Sequence, residues 1–242
     1  MSLNIKLGYS DQDSYVTASW ANNYFTKRRN VTEWTNLTAT SDKEAVLTQA
    51  ARDLNIFSYE GAKYYESQAL EFPRDDHEVV TGYCATYQTE STATLTDSIS
   101  FKNTNLKSDT YNKIPNNYWQ YGSCHLTDDN EIDVIATSNA TTAVIHLESG
   151  FTASLTTSTA FKVFAPVDTN IMQAQCEQAL FILKNPNIET IQNYKLLGAE
   201  DVRIGDVSVS FKPGSSTKIS ISPMSRKLLS RWVRASFRIG RG

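Results

Sequence analysis

The segment from Ser41 to Phe57 has the clearest amphipathic pattern in the sequence. Ser41 and Glu44 have the spacing of a capping box, which predicts that a helix starts at Ser41. Such a helix buries one face, and its alanines allow a second helix to approach closely. The apolar positions that recur at helical spacing are Val46, Leu47, Ala50, Ala51, Leu54 and Phe57.

Three further helices are predicted from the same periodicity. The first covers residues 18–28 with Thr17 as its N-cap, and the second covers 168–183 and is a candidate packing partner for the 41–57 helix. The third begins at Ser222 and Pro223, which suit the N-cap and first helical positions. It has an apolar side and a basic side.

Strand patterns replace helical periodicity between about residues 75 and 165, where Thr, Ser and Asn become frequent. Alternating β-branched and aromatic residues predict strands at 131–136, 142–147 and 161–164. A two-residue glycine turn between Ile204 and Val207 predicts a separate β-hairpin. We interpret 75–165 as an inserted β-rich module.

These patterns predict an α+β fold. Its core is a small helical bundle formed by residues 1–74 and 166–221, interrupted by the β-rich module at 75–165. A C-terminal hairpin follows, and residues 222–242 form an extended basic helical tail.

Charge is unevenly distributed along the 242 residues, although the formal net charge is only −3. There are 12 basic and 20 acidic residues up to Ala165, but 11 basic and 6 acidic residues from Pro166 onward. No acidic residue follows Asp206. A cationic end of this kind favours binding to an anionic surface, either phosphate or protein carboxylate.

The sequence offers little evidence for an enzyme, a cofactor or a metal site. Nucleophile-elbow, phosphate-loop, dinucleotide and zinc-protease motifs are absent from the sequence. The three cysteines are far apart and are expected to be small buried hydrophobes. The cluster of ionisable residues at 75–78 is expected to be a solvated turn, since consecutive loop residues cannot all point at one ion. We therefore expect no catalysis and no cofactor.

No apolar run is long enough to span a bilayer, and residues 1–13 lack the features of a signal peptide. We therefore expect the protein to be made in, and to stay in, the cytoplasm of the cell that produces it, with no membrane partner.

Several short motifs occur in the order found in one protein family: 14–17, 68–74, 173–180, 204–207, and Ser222-Pro223 ahead of Leu228-Leu229. On these motifs the chain resembles the head-tail adaptor proteins of tailed bacteriophages, also called head completion or connector proteins. Some members carry the label DnaT-like single-stranded-DNA-binding protein. The resemblance covers roughly 14–74 and 166–235, and the β-rich module is a departure from it.

The resemblance implies a structural virion protein of the phage neck, located between the capsid portal and the tail. Such proteins form a ring under the portal, usually of twelve copies, that extends the DNA channel and receives the tail. The implied partners are the portal protein, tail-tube or nozzle proteins and further copies of this chain. Genomic DNA would pass through without specific binding.

The same resemblance implies that the C-terminal segment docks on the portal. An apolar stripe would fill a groove while the basic side chains face carboxylates. These candidate portal-binding residues are Arg226, Lys227, Leu228, Leu229, Arg231, Trp232, Arg234 and Arg238. The alternative is that this helix packs back on its own domain.

A second hypothesis is that the chain binds single-stranded nucleic acid through arginine and aromatic side chains. The acidic first part argues against it, as does the scarcity of aromatic residues after Lys212, which are only Trp232 and Phe237. Oligonucleotide binding by the purified chain would separate the two hypotheses.

Overall fold

The structure is a computed structural model that describes residues 3–84, 94–96, 115–127, 130–153, 155–187, 201–204, 207–210 and 221–234. The described helices are α1 (Ala18–Thr26), α2 (Thr32–Thr35), α3 (Thr40–Leu54), α4 (Thr169–Lys184) and α5 (Pro223–Leu229). The strands are β1 (Val79–Tyr83), β2 (Thr94–Thr96), β3 (Ser123–Leu126), β4 (Ile132–Asn139), β5 (Val144–Leu147), β6 (Ala160–Phe164), β7 (Asp201–Ile204) and β8 (Val207–Ser210).

The described residues form two compact units. The first, the helical unit, contains 17–58 and the chain from 170 onward, and the second, the sheet unit, contains 3–16 and 59–169. The predicted core segment 1–74 is thus divided between them. None of the described helices has the length and apolar character needed to cross a bilayer.

A six-stranded antiparallel sheet organises the sheet unit, in the order β1-β6-β3-β4-β5-β2. One face of it carries an apolar core that includes Trp119, Cys124, Ile145, Phe161 and Val163. Each of these side chains is at most 1% exposed. The tight turn before β3 requires Gly122, because a Cβ there would lie 2.1 Å from the Phe164 carbonyl oxygen.

The opposite face of the sheet is covered by chain from 3–16 and 59–78. Phe164 on β6 points to this face and contacts the rings of Tyr64 and His125, with centroid distances of 4.9 and 4.3 Å. The Leu7 amide donates to Ser123 Oγ at 2.7 Å. Both faces of β3 are therefore covered, and all four of its residues are buried.

The helical unit packs α3 against α4 through buried polar side chains. Gln175 Nε2 donates to the Leu47 carbonyl oxygen at 2.9 Å, and Gln178 Nε2 donates to Asp53 Oδ2 at 2.8 Å. This pairing confirms that the 168–183 helix is the partner of the central helix. Leu47 and Ala50, which are 0% exposed, lie on the buried side of α3.

The helical unit also contains a buried carboxylate, Glu177 of α4, which is 4% exposed. It accepts hydrogen bonds from the Tyr24 hydroxyl at 2.7 Å and from Arg28 Nε at 2.7 Å. This pairing joins α4 to α1 and the loop that follows α1. Burial, together with the Glu177 carboxylate, raises the pKa of Tyr24.

Two predicted helix caps are confirmed and one is wrong. Thr17 Oγ1 accepts the Trp20 amide at 3.1 Å, and Ser222 Oγ accepts the Ser225 amide at 3.4 Å. The capping box at Ser41 is absent, because α3 already begins at Thr40 with Ala39 as its N-cap. Ser41 therefore lies inside the first turn.

The predicted fold class is wrong in its central element. The fold is a mixed α and β structure dominated by the antiparallel sheet, and a helical bundle is not its core. The prediction failed because segments 3–16 and 59–74, which were assigned to the bundle, pack against β3 and β6 instead. The C-terminal helix is not an extended tail either, since α5 packs within the helical unit.

The three strands predicted in the 75–165 region are confirmed as β4, β5 and β6. The hairpin is also confirmed, since β7 and β8 pair antiparallel with Ile204 opposite Val207. Its two turn residues lie outside the described residues.

Candidate functional site

The C-terminal helix α5 is anchored to its own unit on one side. Leu229 and Ser225 are both 0% exposed, and Ser225 Oγ donates to the Ala174 carbonyl oxygen at 2.7 Å. The Ser222 amide donates to Gln178 Oε1 at 2.8 Å, and the Arg234 amide donates to the Ser58 carbonyl oxygen at 2.9 Å. These contacts fix the helix at both ends.

The other side of α5 is cationic and open to solvent. Arg226, Lys227, Arg231 and Arg234 are exposed, while Leu228 and Trp232 are half-buried. The Arg226 guanidinium lies 5.8 Å from the centre of the Phe57 ring. Within the described part of the chain, no carboxylate pairs with Arg226, Lys227 or Arg231. We call these four basic residues the α5 basic face: Arg226 and Lys227 lie on α5, and Arg231 and Arg234 lie just after it.

The structure therefore places seven of the eight predicted portal-binding residues on or just after one helix. It separates Leu229, which is inaccessible, from the half-buried Leu228 and Trp232. Because Leu229 is buried in its own unit, it fits the alternative that this helix packs back on its own domain. Arg238 lies outside the described residues.

A second site, which the sequence reasoning missed, lies in the sheet unit. His125 of β3 and Lys162 of β6 are directly opposite in the antiparallel register, and Ile132 of β4 is opposite His125 on the other side. Opposed residues point to the same face of a sheet. Here that face borders a cavity of about 280 Å³, also lined by Gly8, Tyr9 and Tyr65. We call it the Lys162 cavity.

Gly8 allows its loop to approach the cavity wall. Its φ of +77° is a conformation that side chains disfavour, and a Cβ would lie 3.0 Å from Tyr65 Cδ2 and 3.5 Å from His125 Cε1. The Tyr65 and His125 rings are nearly parallel, with centroids 5.9 Å apart. The site is therefore assembled from the N-terminal loop, the 59–74 segment and two strands.

The electrostatics of the cavity depend on one cation and one neutral imidazole. Lys162 Nζ lies 5.8 Å from the Tyr65 ring centre and 6.0 Å from that of Tyr64. Burial lowers the pKa of His125 to about 4, and the nearby Lys162 charge acts in the same direction. His125 is therefore uncharged at neutral pH, and its Nε2 carries the proton that it donates to the Leu7 carbonyl oxygen at 2.9 Å.

Among the described residues, no group of three or more His, Cys, Asp or Glu side chains is placed to hold a metal ion. In the 75–78 cluster, the His77 ring bonds the Ala165 carbonyl oxygen at 2.7 Å, and Glu78 accepts from the Tyr118 hydroxyl at 2.5 Å. These two side chains are thus part of the sheet unit's packing. The three cysteines are buried and unpaired, as predicted.

A family model described as "Putative DnaT-like ssDNA binding protein" matches residues 4–93. No curated protein and no solved structure matches the chain.

The matched region contains the 68–74 motif, whose side chains form internal hydrogen bonds. Gln68 Nε2 donates to the Leu70 and Pro73 carbonyl oxygens, each at 2.9 Å. Arg74, with a side chain only 6% exposed, donates to the Gly61 carbonyl oxygen at 2.6 Å and pairs with Glu71 at 2.8 Å. These motif residues hold the 59–74 loop in place. They do not form an exposed binding surface.

Proposed function

We propose that this chain is a structural head-tail adaptor of a tailed phage. It would form a ring under the portal, extend the DNA channel and provide the attachment site for the tail. The ordered motifs carry the resemblance to that family, and the family-model match at 4–93 bears the label under which some of its members are known. The buried hydrogen bonds of the 68–74 motif suit a structural role.

The observation that carries the proposal is the α5 basic face. It is held rigidly by Ser225 and Leu229, and three of its cations have no carboxylate partner among the described residues. Because the helix backbone is already anchored, it needs no reordering before its cations meet a complementary protein surface. We therefore propose that this face, with Leu228 and Trp232, contacts carboxylates on the portal.

Attachment to tailless, filled heads of the parent phage tests this proposal. The triple variant Arg226→Glu, Lys227→Glu, Arg231→Glu should lose attachment and keep the melting temperature of the free protein. A matched triple variant, Lys27→Glu, Arg29→Glu, Arg52→Glu, makes the same charge change at exposed positions elsewhere in the helical unit. It should still attach, and equal loss by both variants would contradict the proposal.

A second candidate function is binding of single-stranded DNA, which the description of the matching family favours. Under this hypothesis the α5 basic face would contact phosphates. Binding of short oligonucleotides to the purified chain should then weaken steeply with salt. A plot of the logarithm of the binding constant against the logarithm of salt concentration should fall with a slope of about −0.7 for each phosphate contact. Under the adaptor hypothesis the same assay should detect no tight binding by the α5 basic face.

A further inference from the structure

We propose that the Lys162 cavity is a nucleotide-binding site. The base would lie against Tyr65, and the phosphate would pair with the Lys162 ammonium. The proposal concerns the sheet unit and does not rest on the adaptor role, which was argued from α5.

The charge of the cavity selects an anion. The Lys162 ammonium is half-buried, and its contacts in the described residues are the faces of two tyrosine rings, with no carboxylate and no hydrogen-bond acceptor among them. The neighbouring imidazole is neutral and its Nε2 proton is already donated to Leu7. A cation held in this way can donate a charge-assisted hydrogen bond to a phosphate oxygen.

The aromatic wall selects a planar ligand. Tyr9 and Tyr65 line the cavity and are both half-exposed, so part of each ring is available to a bound molecule. Stacking of nucleic-acid bases on such rings is tolerant of base identity. The rest of the wall supplies hydrogen-bonding groups for the base edge and sugar, from Ser10, Ser67, Thr127 and Asn130.

A free nucleotide and one nucleotide of a single strand share this chemistry. The volume of about 280 Å³ is at the small end for ligand pockets, which suits one nucleotide unit and no more. A strand can bind only if the nucleotides next to the bound one extend out of the cavity, whereas a free nucleotide has no such requirement. This difference can be measured directly.

Titration calorimetry with four probes tests the site: thymidine monophosphate, thymidine, inorganic phosphate and a short oligothymidylate. Thymidine monophosphate should bind more tightly than thymidine or phosphate. If the monophosphate competes with the oligothymidylate, the site takes a unit of a strand. If it binds and the oligothymidylate does not, the site takes free nucleotides.

Variants then assign the binding to the cavity. Lys162→Gln should weaken monophosphate binding about tenfold or more, and should lower the salt slope of any oligothymidylate binding by about 0.7. Tyr65→Leu should weaken binding about tenfold, whereas Tyr65→Phe should retain it because the ring remains. Lys27→Gln removes one exposed charge from the helical unit and should change nothing.

Three results would overturn the proposal. These are equal effects of Lys162→Gln and Lys27→Gln, phosphate binding as tight as monophosphate binding, and no monophosphate binding by the wild-type chain. Melting curves of each variant show whether it is folded, and the comparison of Lys162→Gln with Lys27→Gln still tests the site if Tyr65→Leu does not fold.

Discussion

Leu7 and His125 are 118 residues apart in the sequence and share a hydrogen bond of 2.9 Å, donated by His125 Nε2 to the Leu7 carbonyl oxygen. The Leu7 amide is bound as well, by Ser123 Oγ. Two side chains of β3 thus bind both backbone polar groups of one residue, Leu7, in the N-terminal segment. This pairing fixes that segment on the sheet and forms one wall of the Lys162 cavity.

The buried imidazole predicts a dependence of stability on pH. Its pKa of about 4 in the folded chain is below the ordinary 6.5, so the unfolded chain binds more protons between these values. The free energy of unfolding should therefore be greatest above pH 6.5 and fall by about 3 kcal/mol as the pH drops to about 4. Burial lowers the pKa of His77 too, which adds to the loss. Urea unfolding at several pH values across this range measures the change in the free energy of unfolding.

The matched variants are His125→Gln and His146→Gln. Glutamine can still donate to Leu7 but does not titrate, so His125→Gln should flatten the pH dependence. His146 is exposed on β5, and its replacement should leave the dependence unchanged. An unchanged slope in His125→Gln would show that other groups cause the acid sensitivity.

Gln178→Leu should destabilise the helical unit by about 2 kcal/mol, because it removes one hydrogen bond from each of two buried groups. The Asp53 carboxylate would lose a donor and the Ser222 amide an acceptor, both now at 2.8 Å. Denaturant unfolding measures the change. Gln173→Leu on the same helix is the control, since Gln173 is half-exposed and makes no side-chain hydrogen bond within the described residues. A loss of similar size in the control would contradict this account.

Substitutions at Leu228 and Leu229 of α5 can distinguish packing within the helical unit from docking on a partner. Leu229→Ala should cost about 3 kcal/mol because it opens a cavity in the helical unit, where Leu229 is 0% exposed. Leu228→Ala should cost about 1 kcal/mol or less, since this side chain is half-buried. Under the adaptor hypothesis, Leu228→Ala should weaken attachment to filled heads more than it lowers the melting temperature. If attachment falls in proportion to the loss of stability in both variants, Leu228 is not part of the docking surface.

Deleting the predicted module, 75–165, should not leave a stable remainder. The deletion would remove Ser123, His125 and Phe164, against which Leu7 and the 59–74 segment are packed. We expect aggregation and loss of cooperative melting, measured by light scattering and circular dichroism. A monomeric, cooperatively melting product would show that 3–16 and 59–74 do not need the sheet.

Local features of the sequence determined much of the secondary structure. The caps at Thr17 and Ser222 depend on one side chain and an amide three residues later, so they can be predicted without a fold. The same is true of the α3 and α4 periodicity and of the β7 and β8 hairpin. Basic residues clustered after Asp206 could also be predicted to form an exposed cationic face, as the four described ones do.

Only the tertiary structure decided what those elements pack against. β3 was missed because burial on both faces removes the alternation of apolar and polar residues that identifies a strand. The Lys162 cavity has no sequence signal, because its residues come from four segments that are distant in sequence, 8–10, 65–67, 125–132 and Lys162. Periodicity shows which side of an element is buried, but it does not name the partner. That choice depends on the summed packing of the whole chain, and here it placed the N-terminal segment on the sheet.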